Sequence, residues 1–158
     1  MRCLTYHYST ERRIMKIKIV ILVVLVCSTA QASFKITEKF LDALEHVESG
    51  RNPKAIGDSG RAVGSMQLWK IYVREANRIL QYPVFSPGDR TDPLASREMV
   101  RVTISYWAAY HERRGVRITP SILASLHRMP NHKWSPKRMK SKLERGRTAK
   151  LLRHMGKK

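Results

Sequence analysis

The chain has 158 residues with 31 Lys and Arg against 12 Asp and Glu, a formal net charge of +19. This length allows one domain, and a hydrophobic content of 42% with three Trp and six Tyr excludes wholesale disorder. Both cysteines, Cys3 and Cys27, precede every predicted element, which excludes a disulfide scaffold and a cysteine-based zinc site. The six His lack metal-ligand spacing, so neither a metal nor a cofactor is expected.

The N-terminal region has the layout of an export signal. After Met15 come two lysines, an unbroken apolar run over 19–27 and the small-residue sequence Ala30-Gln31-Ala32. The run is far shorter than the ~20 residues that span a bilayer. We expect an extension and signal peptide over 1–32, translation from Met15 and cleavage after Ala32. Export to the periplasm, the cell wall or the medium is favoured. A membrane anchor remains the alternative interpretation of this segment.

The mature domain is predicted over 33–134. Its first helix is predicted to begin after Thr37, which can act as the N-cap, and to end at Gly50. Its apolar face consists of Phe40, Leu41, Leu44 and Val47. Four glycines within 50–64 then predict a shaped loop.

A second helix is expected from Ser65 or Met66 to about Leu80, and its predicted inward-facing residues are Trp69, Val73, Ala76 and Leu80. Asp92-Pro93 predicts the start of a third helix that runs to about Arg113, before a left-handed Gly115. Thr119-Pro120 and Ser135-Pro136 repeat the cap-plus-proline pattern. The latter would begin a basic helical tail over 135–158.

One carboxylate, Glu48, falls in the last turn of the first helix, and the glycine-rich loop after it carries Asp58, Met66 and Gln67. Cleaving a glycosidic bond needs a proton donor for the leaving oxygen, and a poorly solvated glutamate can serve as one. An isolated glutamate at a helix end is more often a solvated surface residue, so the surrounding pattern decides between the two interpretations.

That pattern comprises Glu48-Ser49-Gly50, Asn52-Pro53, Ala55, Gly57, Gly60 and Gly64-Ser65-Met66-Gln67. It resembles the first motif of the soluble lytic transglycosylase family, within the lysozyme-like superfamily. The resemblance implies a mainly α, lysozyme-like α+β fold with a glycine-rich loop or small hairpin beside the cleft. It also implies that Glu48 is the catalytic acid. Ser65 stands where the family usually has an apolar residue.

Two products stay open at this point. Ser125-Leu126-His127-Arg128 replaces the family's later tyrosine box, with His127 near the place of the tyrosine, and is similar to a sequence in invertebrate-type lysozymes. Those lysozymes also carry a second catalytic Asp about ten residues after the Glu, where this chain has Asp58. Attack by the sugar's own C6 hydroxyl would give a 1,6-anhydro product, whereas attack by water with help from Asp58 would make the enzyme a hydrolase. For Asp58 itself, a plain turn residue is the favoured interpretation, because Gly57-Asp58-Ser59-Gly60 is good turn chemistry.

Further side chains are candidates for substrate binding, although several of them could instead be structural. Gln67 could satisfy loop backbone, Tyr106 could pack in the core, and His127 could be a buried structural histidine. The candidate set is Ser49, Met66, Gln67, Tyr106, His127 and Asn131.

Residues 128–158 carry twelve Lys and Arg against the single Glu144. Such a tail is suited to anionic cell-envelope polymers, and the expected substrate is the glycan strand of peptidoglycan. The export signal and the absence of a nucleic-acid-binding signature argue against nucleic acid. A secreted cationic binder without catalysis is the remaining alternative, and the sequence leaves the oligomeric state open.

Overall fold

The structure is a computed structural model and describes residues 35–131, 134–135 and 142–156, with the backbone alone for 142–145. The predicted extension and signal peptide lie outside these residues, as does the stretch 136–141 in which the sequence places the start of the tail helix. Within the described part of the chain, no helix combines the length and hydrophobicity that crossing a membrane requires.

The first helix, α1 (Glu38–Ser49), has the predicted ends. The Thr37 side chain accepts a hydrogen bond from the Phe40 amide at 3.2 Å, and Gly50 closes the helix in the left-handed conformation with φ +67°. The apolar face of α1 packs into the core, with Phe40, Leu41 and Leu44 buried. This geometry fixes Glu48 in the last turn of α1, immediately before the loop.

The loop after α1 contains a small antiparallel hairpin of β1 (Ile56–Gly57) and β2 (Ala62–Val63), in which Ile56 pairs with Val63 and Gly57 with Ala62. A short 3-10 turn over Asp58–Gly60 connects the strands. The hairpin and the surrounding helices confirm the predicted fold class.

The second helix, α2 (Lys70–Leu80), begins later than predicted. Gly64 and Gln67 adopt positive φ, and Val63 forms a β-bridge with Leu68, so helix geometry is impossible before Trp69. The later start also changes the inward face. Val73 and Ala76 are buried as expected, whereas Trp69 and Leu80 are 37% and 39% exposed, which corrects their predicted inward orientation.

A 3-10 turn over Pro87–Thr91 leads to α3 (Pro93–Glu112), which is N-capped by Asp92, and α4 (Pro120–Arg128) is N-capped by Thr119. Both starts confirm the cap-plus-proline prediction. The last described helix, α5 (Lys142–Gly156), packs against α1 and α4, while α3 packs against α2 and α4. Leu151 of α5 is fully buried and belongs to the same core as α1 and α4.

An ion-pair network with one buried member, Glu45, joins α1 to α3. The Arg97 guanidinium contacts Glu38, Asp42 and the buried Glu45. The Ser65 hydroxyl donates to the Glu45 carboxylate at 2.8 Å. The loop is therefore tied to the helix that carries Glu48.

Candidate active site

A cavity of about 480 Å³ opens between the end of α1, the hairpin loop, α2 and the end of α4. It is lined by Glu48, Asp58, Gln67, Trp69, Ile71, Tyr72, Glu75, His127, Arg128, Pro130, Asn131 and Arg147. Its volume lies in the range of small-molecule sites. We refer to this space as the cavity.

Glu48 lies on the cavity wall with its side chain 10% exposed. Its nearest charged neighbour is Arg128, whose Nη2 lies 3.4 Å from Oε1 and 3.3 Å from Oε2. The sequence predicts a poorly solvated glutamate, and the low exposure agrees. The guanidinium beside it is a partner that the sequence did not indicate.

Two glycines allow the loop to pack closely against its neighbours. A Cβ at Gly64 would lie 1.8 Å from the Arg90 carbonyl oxygen, and one at Gly57 would lie 2.3 Å from Gln67 Oε1. The Gln67 amide donates to the carbonyl oxygens of Ala55 at 3.3 Å and Gly64 at 2.9 Å. Gln67 therefore lines the cavity and satisfies loop backbone at the same time.

Two of the predicted substrate-binding residues do not line the cavity because they hold the loop together. The Ser49 hydroxyl donates to the Ser65 carbonyl at 2.7 Å and accepts from the Asn52 amide at 3.1 Å. The Met66 side chain is fully buried. The structure also gives a reason for the unusual Ser65, because its hydroxyl is the hydrogen-bond partner of the buried Glu45.

His127 is buried at the back of the cavity, and its hydrogen bonds define its tautomer. Nε2 lies 3.2 Å from the Met66 carbonyl oxygen and must carry the proton, so Nδ1 accepts from the Tyr72 hydroxyl at 3.4 Å. Burial lowers the pKa of His127, and the Glu48 carboxylate opposes that shift only in part. A neutral His127 thus joins α4 to the loop.

Glu75 is a third carboxylate in the cavity, beside Glu48 and Asp58, and no motif had indicated it. It accepts hydrogen bonds from Arg78 and from the Trp107 indole at 2.9 Å. The Arg78 guanidinium lowers the pKa of Glu75, which outweighs the opposing effect of burial. Glu75 therefore stays ionised and is unsuited to donate a proton.

Of the remaining candidates, Asp58 and Asn131 line the cavity, whereas Tyr106 does not. Tyr106 lies on α3 against Trp107, with the Arg78 guanidinium 5.3 Å from its ring centroid. Trp69, which the sequence assigned to the core, lines the cavity. Trp69 could have been placed in the cavity from the sequence only with the correct start of α2, at Lys70.

No metal site is formed by the residues that the structure describes, since none of their His, Cys, Asp and Glu side chains gather in groups of three or more able to hold an ion.

A family model described as "Transglycosylase SLT domain" matches residues 26–115. No curated protein and no solved structure matches the chain. The match includes Glu48 and the whole loop, whereas α4 and α5, which contribute the Arg128 and Arg147 side of the cavity, lie beyond it. Because the match spans more than half of the 158 residues, the chain belongs to the SLT family of lysozyme-like peptidoglycan lytic transglycosylases and is an enzyme of this class.

Proposed function

We propose that the protein is an exported lytic transglycosylase that cleaves the β-1,4 bond between N-acetylmuramic acid and N-acetylglucosamine, with Glu48 as general acid and then general base. The observation that carries this proposal is the position of Glu48, 10% exposed on the wall of the cavity and next to the glycine-rich loop. A carboxyl group in such a place has little competing water and can reach a bound glycan.

The proposed reaction needs one proton carrier. Glu48 gives its proton to the glycosidic oxygen, the bond from C1 of the muramic sugar to that oxygen breaks, and positive charge develops at C1. The C6 hydroxyl of the same sugar then attacks C1 while the Glu48 carboxylate removes the hydroxyl proton. The products are a 1,6-anhydro end and a free 4-hydroxyl, and Glu48 returns to its protonated form.

Among the carboxylates of the cavity, Glu48 is the best candidate for the donor. Glu75 is held ionised by Arg78, and Asp58 is exposed and accepts a hydrogen bond from Trp69. The hydrolase alternative is kept because Asp58 and Glu48 line the same cavity. In that reaction water attacks C1, and the new sugar ends are reducing.

Export is part of the proposal because peptidoglycan lies outside the cytoplasm. The supporting observation is the signal-like sequence from Met15 to Ala32. Intact-mass measurement of the exported protein should show a chain beginning at Ser33. A mature chain beginning before Met15 would contradict this part of the proposal.

Anionic envelope polymers are the proposed secondary partners. On α5, Lys150 and Arg153 are exposed, and Arg147 lines the cavity. A cationic helix beside the substrate site would hold the enzyme close to a polyanionic wall.

The test is digestion of purified peptidoglycan with the wild type, Glu48→Gln and Glu98→Gln, followed by mass spectrometry of the released sugar ends. Glu98 provides the matched control because its side chain is 54% exposed on α3 and lies outside the cavity. Anhydro ends from the wild type and from Glu98→Gln, with no product from Glu48→Gln, would support the proposal. Reducing ends would favour the hydrolase, and undiminished release by Glu48→Gln would refute the assigned role.

A further inference from the structure

Trp69 is partly exposed, unlike the other two tryptophans of the chain. Trp107 and Trp134 are buried, and their indole N–H groups donate to Glu75 and Ser125. Trp69 immediately precedes α2, is 37% exposed and lines the same cavity as Glu48. An aromatic ring of this size is therefore partly accessible where a glycan would bind.

The orientation of the Trp69 ring is fixed from two sides. Its indole N–H donates to Asp58 Oδ2 at 3.2 Å, and the Arg61 guanidinium lies 4.6 Å from the ring centroid. Arg61 is itself held, because its Nε donates to the Asp58 carbonyl at 3.1 Å. Asp58 thus controls the indole directly through its side chain and indirectly through its backbone.

This arrangement requires an unfavourable backbone. Asp58 and Ser59 are consecutive non-glycine residues with positive φ, +48° and +56°. Such residues are uncommon and cluster at functional sites, and Asp and Asn tolerate the conformation better than most. The turn brings the Asp58 carboxylate to the indole.

We propose that Trp69 forms a stacking surface for a hexopyranose ring of the glycan strand, and that Asp58 is a positioning residue that fixes the indole. Arg61 covers one face of the ring, which leaves the other face for the ligand. Ile71, 61% exposed on the same cavity wall, extends the apolar surface. The axial C–H groups of a pyranose supply the complementary apolar face, while its hydroxyl groups remain hydrated.

The proposal rests on the proposed function for the identity of the glycan, but it gives Asp58 a different role from the hydrolase reaction. A nucleophile or charge stabiliser needs a carboxylate. A residue that only accepts the indole N–H can be replaced by Asn, because the amide oxygen accepts the same bond and Asn tolerates positive φ.

The experiment compares Trp69→Ala, Trp69→Phe, Asp58→Ala and Asp58→Asn in the full chain, with Tyr82→Ala as the control for loss of an exposed aromatic ring. Tyr82 is 70% exposed and does not line the cavity. The readouts are kcat and KM on soluble peptidoglycan fragments. In a Glu48→Gln background, the tryptophan emission is titrated with a tetrasaccharide of alternating N-acetylglucosamine and N-acetylmuramic acid.

We expect Trp69→Ala and Asp58→Ala to raise KM about tenfold with little change in kcat, since a lost aromatic contact amounts to about 1.4 kcal/mol. Asp58→Asn and Trp69→Phe should stay within about threefold of the wild type. The tetrasaccharide should shift the emission to shorter wavelength, and the shift should vanish in Trp69→Phe.

Two results would overturn the proposal. If Asp58→Ala and Asp58→Asn both lost kcat, the carboxylate would have a chemical role instead. If, in a calorimetric titration, Glu48→Gln with Trp69→Ala bound the tetrasaccharide as tightly as the Glu48→Gln parent, the ring would not be a binding surface. Failure of the proposed function is a separate result, because it is read from the activity of Glu48→Gln and not from this titration.

Discussion

The guanidinium of Arg128, at the end of α4, lies 3.3 Å from the carboxylate of Glu48, at the end of α1. The pair joins two helices across one side of the cavity. A charge-assisted contact of this kind orients the Glu48 carboxylate on the cavity wall.

Replacing Arg128 by Gln should therefore lower the rate about tenfold, because the charge-assisted contact that orients Glu48 is lost. His127 and Arg147, the other basic groups facing Glu48 across the cavity, are retained.

Initial rates of fragment release check this prediction, and Arg128→Lys should fall between the wild type and Arg128→Gln. An unchanged rate in Arg128→Gln would contradict it.

Gly57→Ala should destabilise the loop by about 1–3 kcal/mol, because the new methyl group would lie 2.3 Å from Gln67 Oε1. Gly57 has an ordinary extended backbone with φ −132°, so the cost comes from this contact alone. Gln67→Ala should relieve it. A double-mutant cycle by urea unfolding would show a double variant less destabilised than the sum of the single variants, whereas strict additivity would count against the contact.

Arg97→Met should destabilise the fold by about 3 kcal/mol, because it leaves the buried Glu45 carboxylate without its cationic partner. Arg101→Met is the matched control, since Arg101 pairs with the exposed carboxylates of Glu38 and Glu98. The control should lose about 1 kcal/mol or less. Equal losses in urea unfolding would show that burial of Glu45 has no special weight.

Stability should fall with acidification through a defined window. Burial lowers the pKa of His127 and His111 below 6.5, so the unfolded chain binds protons more readily than the folded chain. The stability that these two histidines contribute is therefore fully present above pH 6.5. It decreases as pH falls towards their pKa values in the folded protein, by up to about 1.4 kcal/mol per pH unit for each group.

His127→Gln keeps a donor for the Met66 carbonyl and removes one of these two groups. Its unfolding free energy should depend less on pH between 7 and 5 than that of the wild type. If the unfolding free energy of His127→Gln depended on pH as steeply as that of the wild type, groups other than His127 would cause the acid sensitivity.

The exposed charges of α5 should matter for wall binding at low salt. Lys150→Gln with Arg153→Gln should weaken retention on anionic wall polymer, and the difference should disappear near 0.5 M salt, where screening is strong. Arg113→Gln with Arg117→Gln removes the same charge from exposed positions elsewhere. If both double variants lost the same retention, net charge alone would explain the binding, and a specific role of α5 would be contradicted.

The sequence predicted those features that depend on local chemistry. Thr37, Asp92 and Thr119 cap helices as expected, and the motif around Glu48 indicated both the family and the cavity. The start of α2 was wrong because helical spacing extends back through Gln67, while the left-handed backbone there is set by hydrogen bonds to the loop.

The partners of the site residues could not be predicted because they lie far away along the chain. Arg128 is 80 positions from Glu48, and His127 is 61 positions from Met66. Glu75 resembled an ordinary surface residue of an amphipathic helix until the fold brought Arg78 and Trp107 to it.

The last described helix contributes both a fully buried leucine and an arginine of the cavity wall. Trimming the chain before that helix would uncover apolar surface and reshape the cavity in one step. Outward-facing residues of this helix can be exchanged to alter its charge, whereas its inward-facing residues are constrained by the core and by the cavity together.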